Sequence, residues 1–163
     1  MHGSKMTTHN EAMYAKATEL CGELLLPPAA LELRESKTDK IFDVYDAVRR
    51  KWVALTPEEW VRQHFVAFLV THHGISLYRI QNEVSLKLND TSKRADTVVY
   101  DDFLRPQIIV EYKAPDVTLT TDVLHQVLRY NLVFEAPAVM VTNGNDVYTL
   151  RNGKFSRGVL INT

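Results

Sequence analysis

Apolar residues along the chain alternate between helical and strand spacing. Between residues 8 and 25 they return at Met13, Ala17, Leu20 and Leu24, one face of a helix, and Pro27-Pro28 ends the run. LELRES at 31–36 and KIFDVYDAV at 40–48 alternate as two strands around a polar turn at Lys37 to Asp39. The triplet Arg49-Arg50-Lys51 then reads as a solvated connection, as charge runs usually are. The stretch 55–73, LTPEEWVRQHFVAFLVTHH, predicts a second helix with a complete start. Thr56 caps it, Pro57 fits the first helical position, Glu59 completes a capping box, and Leu55 packs on Trp60 as a hydrophobic staple. Helical spacing from Glu58 runs through Val61, Phe65 and Phe68, so Glu58 is expected to open the apolar face and point inward. The alternative is a first-turn acid favoured by the helix dipole.

LYRIQNEVSLKL, residues 77–88, alternates as one bent strand or two short ones, and TVVY and QIIV follow as strands linked by DDFLRP at 101–106. Residues 118–136 predict a third helix, capped by Thr120 or Thr121, with Asp122 in its first turn and Ala136-Pro137 at its end. Asn143-Gly144 and Asn152-Gly153 separate alternating runs, so 138–159 reads as a β-meander. The expected architecture is α/β: a central mixed sheet flanked by helices, with residues 1–54 forming an N-terminal helix and strand extension packed on a core of 55–163, in one domain.

Composition narrows the setting. The chain has 163 residues, 45% hydrophobic and 24% charged, enough for one domain with a sizeable core. A formal charge of -1 gives no overall attraction to nucleic acid, so binding there needs a local patch or a metal. Cys21 is the single cysteine, which excludes an internal disulfide and suits a reducing, cytoplasmic setting. LLLPPAAL is too short and too proline-broken to span a membrane.

The charged ends of the inner strands carry the candidate chemistry. If DDFLRP closes a symmetric antiparallel hairpin centred between Phe103 and Leu104, Val98 opposes Ile109 and Asp96 opposes Glu111. That face is apolar in its middle and acidic at one end, with Lys113 one pleat beyond Glu111. A one-residue bulge would turn one acid away. The plainer account has Asp96 and Glu111 hydrating a strand end, with Arg94 and Lys113 as partners. The same residues also supply what metal-assisted phosphodiester hydrolysis needs: two hard oxygen ligands for Mg²⁺ and an ammonium to orient or deprotonate water and offset phosphate charge.

Asp96, then fourteen residues, then Glu111-Tyr112-Lys113 resembles the PD-(D/E)XK nuclease motif, although Ala95 stands where the motif has proline. IIVEYKAP is similar to the catalytic strand of the N-terminal nuclease domain of type I restriction enzyme R subunits. Glu58 and Arg62, in TPEEWVRQHF, resemble the first-helix glutamate and arginine of that family, and Gln126 and Tyr130, in DVLHQVLRYN, its Gln-x-x-x-Tyr motif. The resemblance covers about residues 55–150 and implies a restriction-endonuclease-like fold and a Mg²⁺-dependent endonuclease, with Mn²⁺ as a substitute. It implies that Asp96, Glu111 and Glu58 hold metal, that Lys113 positions water, and that Gln126, Tyr130, Arg62 and Arg94 support the lysine or meet the DNA backbone. DNA, other restriction-system subunits and a second copy of the chain are the partners it suggests. Taken on residue type and spacing alone, Gln126 and Tyr130 are a half-buried amide and phenol at a helix–sheet interface.

Other chemistries lack their residues. Gly153-Lys154 has neither the upstream glycine nor the following hydroxyl of a phosphate loop, so no DNA-translocating motor is expected in this sequence. His72-His73 are adjacent, on different helix faces, without zinc spacing. The alternative function is a nucleic-acid-binding or assembly module that keeps the nuclease fold without cleaving.

Overall fold

A computed structural model describes residues 8–38, 41–159 and 161. Helix α1 (Thr8–Cys21) leads into a small antiparallel sheet of β1 (Leu33–Glu35), β2 (Phe42–Asp46) and β3 (Lys51–Ala54), followed by α2 (Pro57–His73). A second sheet then forms in chain order: β4 (Ile80–Leu88), β5 (Thr91–Tyr100), β6 (Pro106–Tyr112), β7 (Ala138–Thr142), β8 (Val147–Arg151) and β9 (Lys154–Arg157). All its neighbours are antiparallel except β6 and β7, which run parallel and are joined over the sheet by α3 (Thr121–Asn131).

The predicted β-meander is β7 to β9. Its second turn, Asn152-Gly153, has both residues at positive φ, 53° and 74°, the backbone that a two-residue hairpin requires. The predicted hairpin of β5 and β6 also forms in the expected register, with Thr97 opposite Val110 and Val98 opposite Ile109. Asp101 shapes its loop, Oδ1 accepting from the backbone N–H of Phe103 at 2.8 Å and of Arg105 at 2.9 Å, and the register slips by one only at Tyr100.

Several expected elements differ, among them residues 77–79, which form a 3-10 turn ahead of β4 rather than part of a strand. Lys51 belongs to strand β3 rather than to a connection, because Ala47–Arg50 turn the chain and KWVA pairs back on β2. Helix α1 stops at Cys21, ahead of Leu24, and Leu20 is half exposed, so the packing stripe is carried by Met13 and Ala17. Helix α3 stops at Asn131 and continues as a 3-10 turn, Leu132–Phe134. In the turn predicted at Lys37 to Asp39, Asp39 lies outside the described residues.

Helix α2 is covered on two sides. Val61, Phe65 and Leu69 pack on Val99, Ile108, Val110 and Met140 of the large sheet, whereas Trp60 joins Ala17, Leu33, Phe42 and Val44 of the N-terminal unit. Helix α3 covers the opposite face of the large sheet through Leu124 and Val127 against Val98, Ile109, Val139 and Val141. Among the described residues no helix is long and apolar enough to cross a membrane.

The polar edge of α2 is buried as well, so its groups must satisfy one another. His64 bridges to α1: its Nδ1–H donates to the Trp60 carbonyl at 2.7 Å, leaving Nε2 to accept from the Tyr14 hydroxyl at 2.6 Å, and burial holds the imidazole pKa low. Thr56 caps the helix as expected, its Oγ1 accepting from Glu59 N–H at 3.0 Å. The reciprocal half of the capping box does not form, because the Glu59 carboxylate turns inward to the guanidiniums of Arg49 and Arg62 and the amide of Gln63. Pro57 and Glu58 are both exposed, so the packing of α2 begins at Glu59, and the adjacent acid rather than Glu58 is the buried one.

Replacing Glu59 with Gln leaves two guanidiniums short of a counter-charge inside the protein. Urea unfolding of Glu59→Gln is expected to show a loss of about 3–5 kcal/mol. Glu58→Gln, at an exposed position, should stay within about 0.5 kcal/mol of wild type.

Candidate active site

At one end of the large sheet, β5 and β6 bring two acids together. Asp96 and Glu111 stand next beyond the Thr97–Val110 pair of the hairpin and line the same cleft, and Lys113 follows one residue past the end of β6. The β6 direction is held there by Lys113 N–H, which donates to the Thr142 carbonyl at 2.9 Å. Arg94, Asp96, Glu111, Lys113, Gln126, Val127 and Tyr130 line one open cleft of about 360 Å³.

Asp96 is fixed from two sides. Its Oδ2 accepts from Tyr112 N–H at 3.0 Å, and its backbone carbonyl accepts from Arg62 Nη1 at 2.8 Å. Tyr112 is fixed in turn by a buried polar chain: its hydroxyl donates to Thr97 Oγ1 at 2.9 Å, Thr97 donates to Asn82 Oδ1 at 2.7 Å, and Asn82 donates to Asp46 Oδ2 at 3.1 Å. The acidic strand end is thereby tied to β2 of the small sheet.

Electrostatically the pair lacks positive charge. Desolvation raises Asp96 above the ordinary carboxylate range despite the Tyr112 N–H and the Arg62 charge. Burial, and after it the neighbouring Asp96 charge, pushes Glu111 up to about 8, with Lys113 only partly offsetting them and Glu58 adding to the repulsion. Glu111 Oε2 is buried without a hydrogen-bond partner. An unpartnered carboxylate oxygen beside a second acid is what a hard cation would satisfy. Among the described residues no three acid, histidine or cysteine side chains gather into a ready metal cage, and Glu58 lies exposed at the start of α2.

The remaining predicted residues divide into two groups. Gln126 and Tyr130 reach the cleft from α3. Tyr130 does not hold Lys113: its hydroxyl accepts from Arg94 N–H at 3.2 Å, and the Lys93 ammonium lies 4.5 Å from its ring centre. Arg62 is buried behind the acids and takes Glu59 and Glu83 as partners, the latter at 2.6 Å, while Arg94 on the rim pairs with the second oxygen of Glu83 at 2.5 Å. Asn143 is structural, its side chain shaping its own turn and donating to the Val117 carbonyl at 2.8 Å.

Glu83, Asp46, Arg49 and Glu59 form the supporting charge network that sequence reading missed. For Glu59 a signal existed, since it stands four residues before Gln63 and three before Arg62 on a helix covered on both sides. For Glu83 none did, because in the alternating sequence Ile80 to Leu88 it stands where an ordinary outward strand residue would.

A folded-state pKa above the unfolded one favours the neutral acid, so its stabilising effect is complete below the unfolded pKa and is lost as pH rises through the folded one. For Glu111 that window runs from the ordinary 4.5 to about 8. In EDTA, thermal scans of Glu111→Gln should match wild type near the bottom of this window and melt higher than wild type above it.

A family model for the type I restriction enzyme R protein N terminus matches residues 57–159. No curated protein matches the chain. Among solved structures, a cryoEM structure of a DrdV–DNA complex is similar with a TM-score of 0.46 and 16% identity, over 61% of this chain and 10% of that chain. The chain therefore spans about a tenth of that solved protein. The mixed six-stranded sheet between α2 and α3 is the α/β arrangement, a central mixed sheet flanked by helices, expected from the sequence. With more than half its length matched, the chain belongs to the family of type I restriction enzyme R protein N termini.

Proposed function

We propose that this protein is a Mg²⁺-dependent endodeoxyribonuclease of the PD-(D/E)XK type. The observation that carries the reading is the pair Asp96 and Glu111, with a buried, unpartnered Glu111 oxygen, beside Lys113 in an open cleft. Two acids so placed repel each other and destabilise the folded protein, a cost that hydrating a strand end would not require.

Asp96 and Glu111 would hold the ion, which when bound lowers the pKa of water and offsets charge on the phosphate. Glu58, on the solvent side, would reach it through water. Hydrolysis adds a water oxygen to phosphorus and breaks one phosphorus–oxygen ester bond, the leaving oxygen taking a proton. Lys113 has no ion-pair partner among the described residues, so its ammonium is free to orient the attacking water and to stabilise the charge that grows on the phosphate oxygens. Gln126, exposed on α3 and without a hydrogen bond among the described residues, would donate to a backbone phosphate, as would Arg94 on the rim. Arg62 and Tyr130 would act at one remove, holding Asp96 and Arg94 respectively. One such site cuts one strand, so a double-strand break calls for a second copy of the chain.

Supercoiled plasmid treated with Mg²⁺ or Mn²⁺ should be nicked by wild type and spared in EDTA. Lys113→Ala should lower the rate by about 100-fold or more, the scale of a positioned proton-transfer or charge-stabilising group. Metal-dependent binding without cutting in wild type would instead support a binding module that keeps the fold.

A further inference from the structure

Between β4 and β5 the ladder contains a paired break. Asn82 opposes Thr97 and Val84 opposes Ala95, but Glu83 and Asp96, which lie between them, do not pair. Each strand has one residue out of the ladder, so the register is the same on both sides of the break. The faces are exchanged: Asn82 and Thr97 join the buried polar chain to Tyr112, whereas Val84 and Ala95 pack with the α3 side of the sheet.

The break is built on Glu83. Its φ of 59° lies in the left-handed region, sterically costly for a residue with a side chain and seldom found inside a strand. Out of the ladder, the Asp96 carbonyl takes its donor from Arg62 Nη1, and its carboxylate takes the Tyr112 N–H. Arg62 is aimed by two acids, Glu59 at 2.7 Å and Glu83 at 2.6 Å. Glu59 is shared with Arg49, so Glu83 supplies the charge on the side of the guanidinium nearest the break.

We propose that Glu83 is the positioning residue for Asp96: its left-handed backbone releases Asp96 from the ladder, and its carboxylate holds the arginine that replaces the missing ladder donor. The effect on cleavage rests on the nuclease reading, whereas the effect on geometry does not. Plain neutralisation of Arg62 would not require the backbone break, because a carboxylate on a regular strand could reach a guanidinium equally well.

Two variants separate the parts. Glu83→Asn removes the carboxylate but tolerates the left-handed backbone, and Glu83→Gln keeps the side-chain length without the charge. Amide hydrogen exchange on the full chain should show Tyr112 exchanging about tenfold faster in both variants, with Ile109 and Val110 in the adjoining ladder unchanged. Mn²⁺ titration without DNA should show affinity lower by about tenfold, and cleavage should lose kcat by a similar factor with KM for DNA nearly unchanged. An unchanged Tyr112 amide and unchanged Mn²⁺ affinity in both variants would overturn the assignment. If wild type neither binds Mn²⁺ nor cuts, the nuclease reading fails, and faster Tyr112 exchange would still uphold the placement of Asp96 by Glu83.

Discussion

The Glu59 carboxylate, buried between the guanidiniums of Arg49 and Arg62, is the contact on which the rest of the arrangement depends. Helix α2 has an apolar stripe on each side and a polar edge between them that water barely reaches. Such an edge is tolerated only when every charge on it meets an opposite charge. Here the signs alternate in space, from Asp46 through Arg49, Glu59, Arg62 and Glu83 to Arg94, each touching the next. The chain begins in the small sheet, passes over α2 and ends on the rim of the cleft.

Alternation of this kind gives geometry more than net stability, because the desolvation of the buried ionised groups cancels much of the attraction. What it fixes is the placement of Arg62 against the Asp96 carbonyl and, through the parallel chain of Asp46, Asn82, Thr97 and Tyr112, the amide that meets the Asp96 carboxylate. Both routes to Asp96 start at Asp46 in β2. The small sheet therefore shapes the acidic end of the large one without lining the cleft.

Much of this was legible in the sequence, and the rest was hidden for physical reasons. TVVY and QIIV alternate cleanly and their loop is short, so the register that sets Asp96 near Glu111 could be read from the position of the turn. Gln126 and Tyr130 share a helix face, and both reach the cleft. Periodicity identifies one buried face, whereas α2 has two, so Glu58 sits exposed as the first-turn acid that was the alternative, and Glu59, between the two stripes, is the acid enclosed. KWVA was missed because its first residue extends a basic triplet whose other two members form the turn. The break at Glu83 and Asp96 leaves no trace in composition, since two matching interruptions restore the register and the residue at positive φ is neither glycine nor asparagine.

The double cover of α2 bears on how such a segment can move between proteins. The family segment begins at Pro57, so it includes Trp60, Glu59 and His64 but excludes Ala17, Phe42 and Val44, which cover Trp60, as well as Arg49, which neutralises Glu59, and Tyr14, which bonds to His64. Transplanted alone, it would present an indole, a carboxylate and an imidazole to water on a surface shaped for contact. A host that borrowed this segment with the same side chains would need a lid of its own with an apolar floor, one cation and one hydroxyl in matching positions.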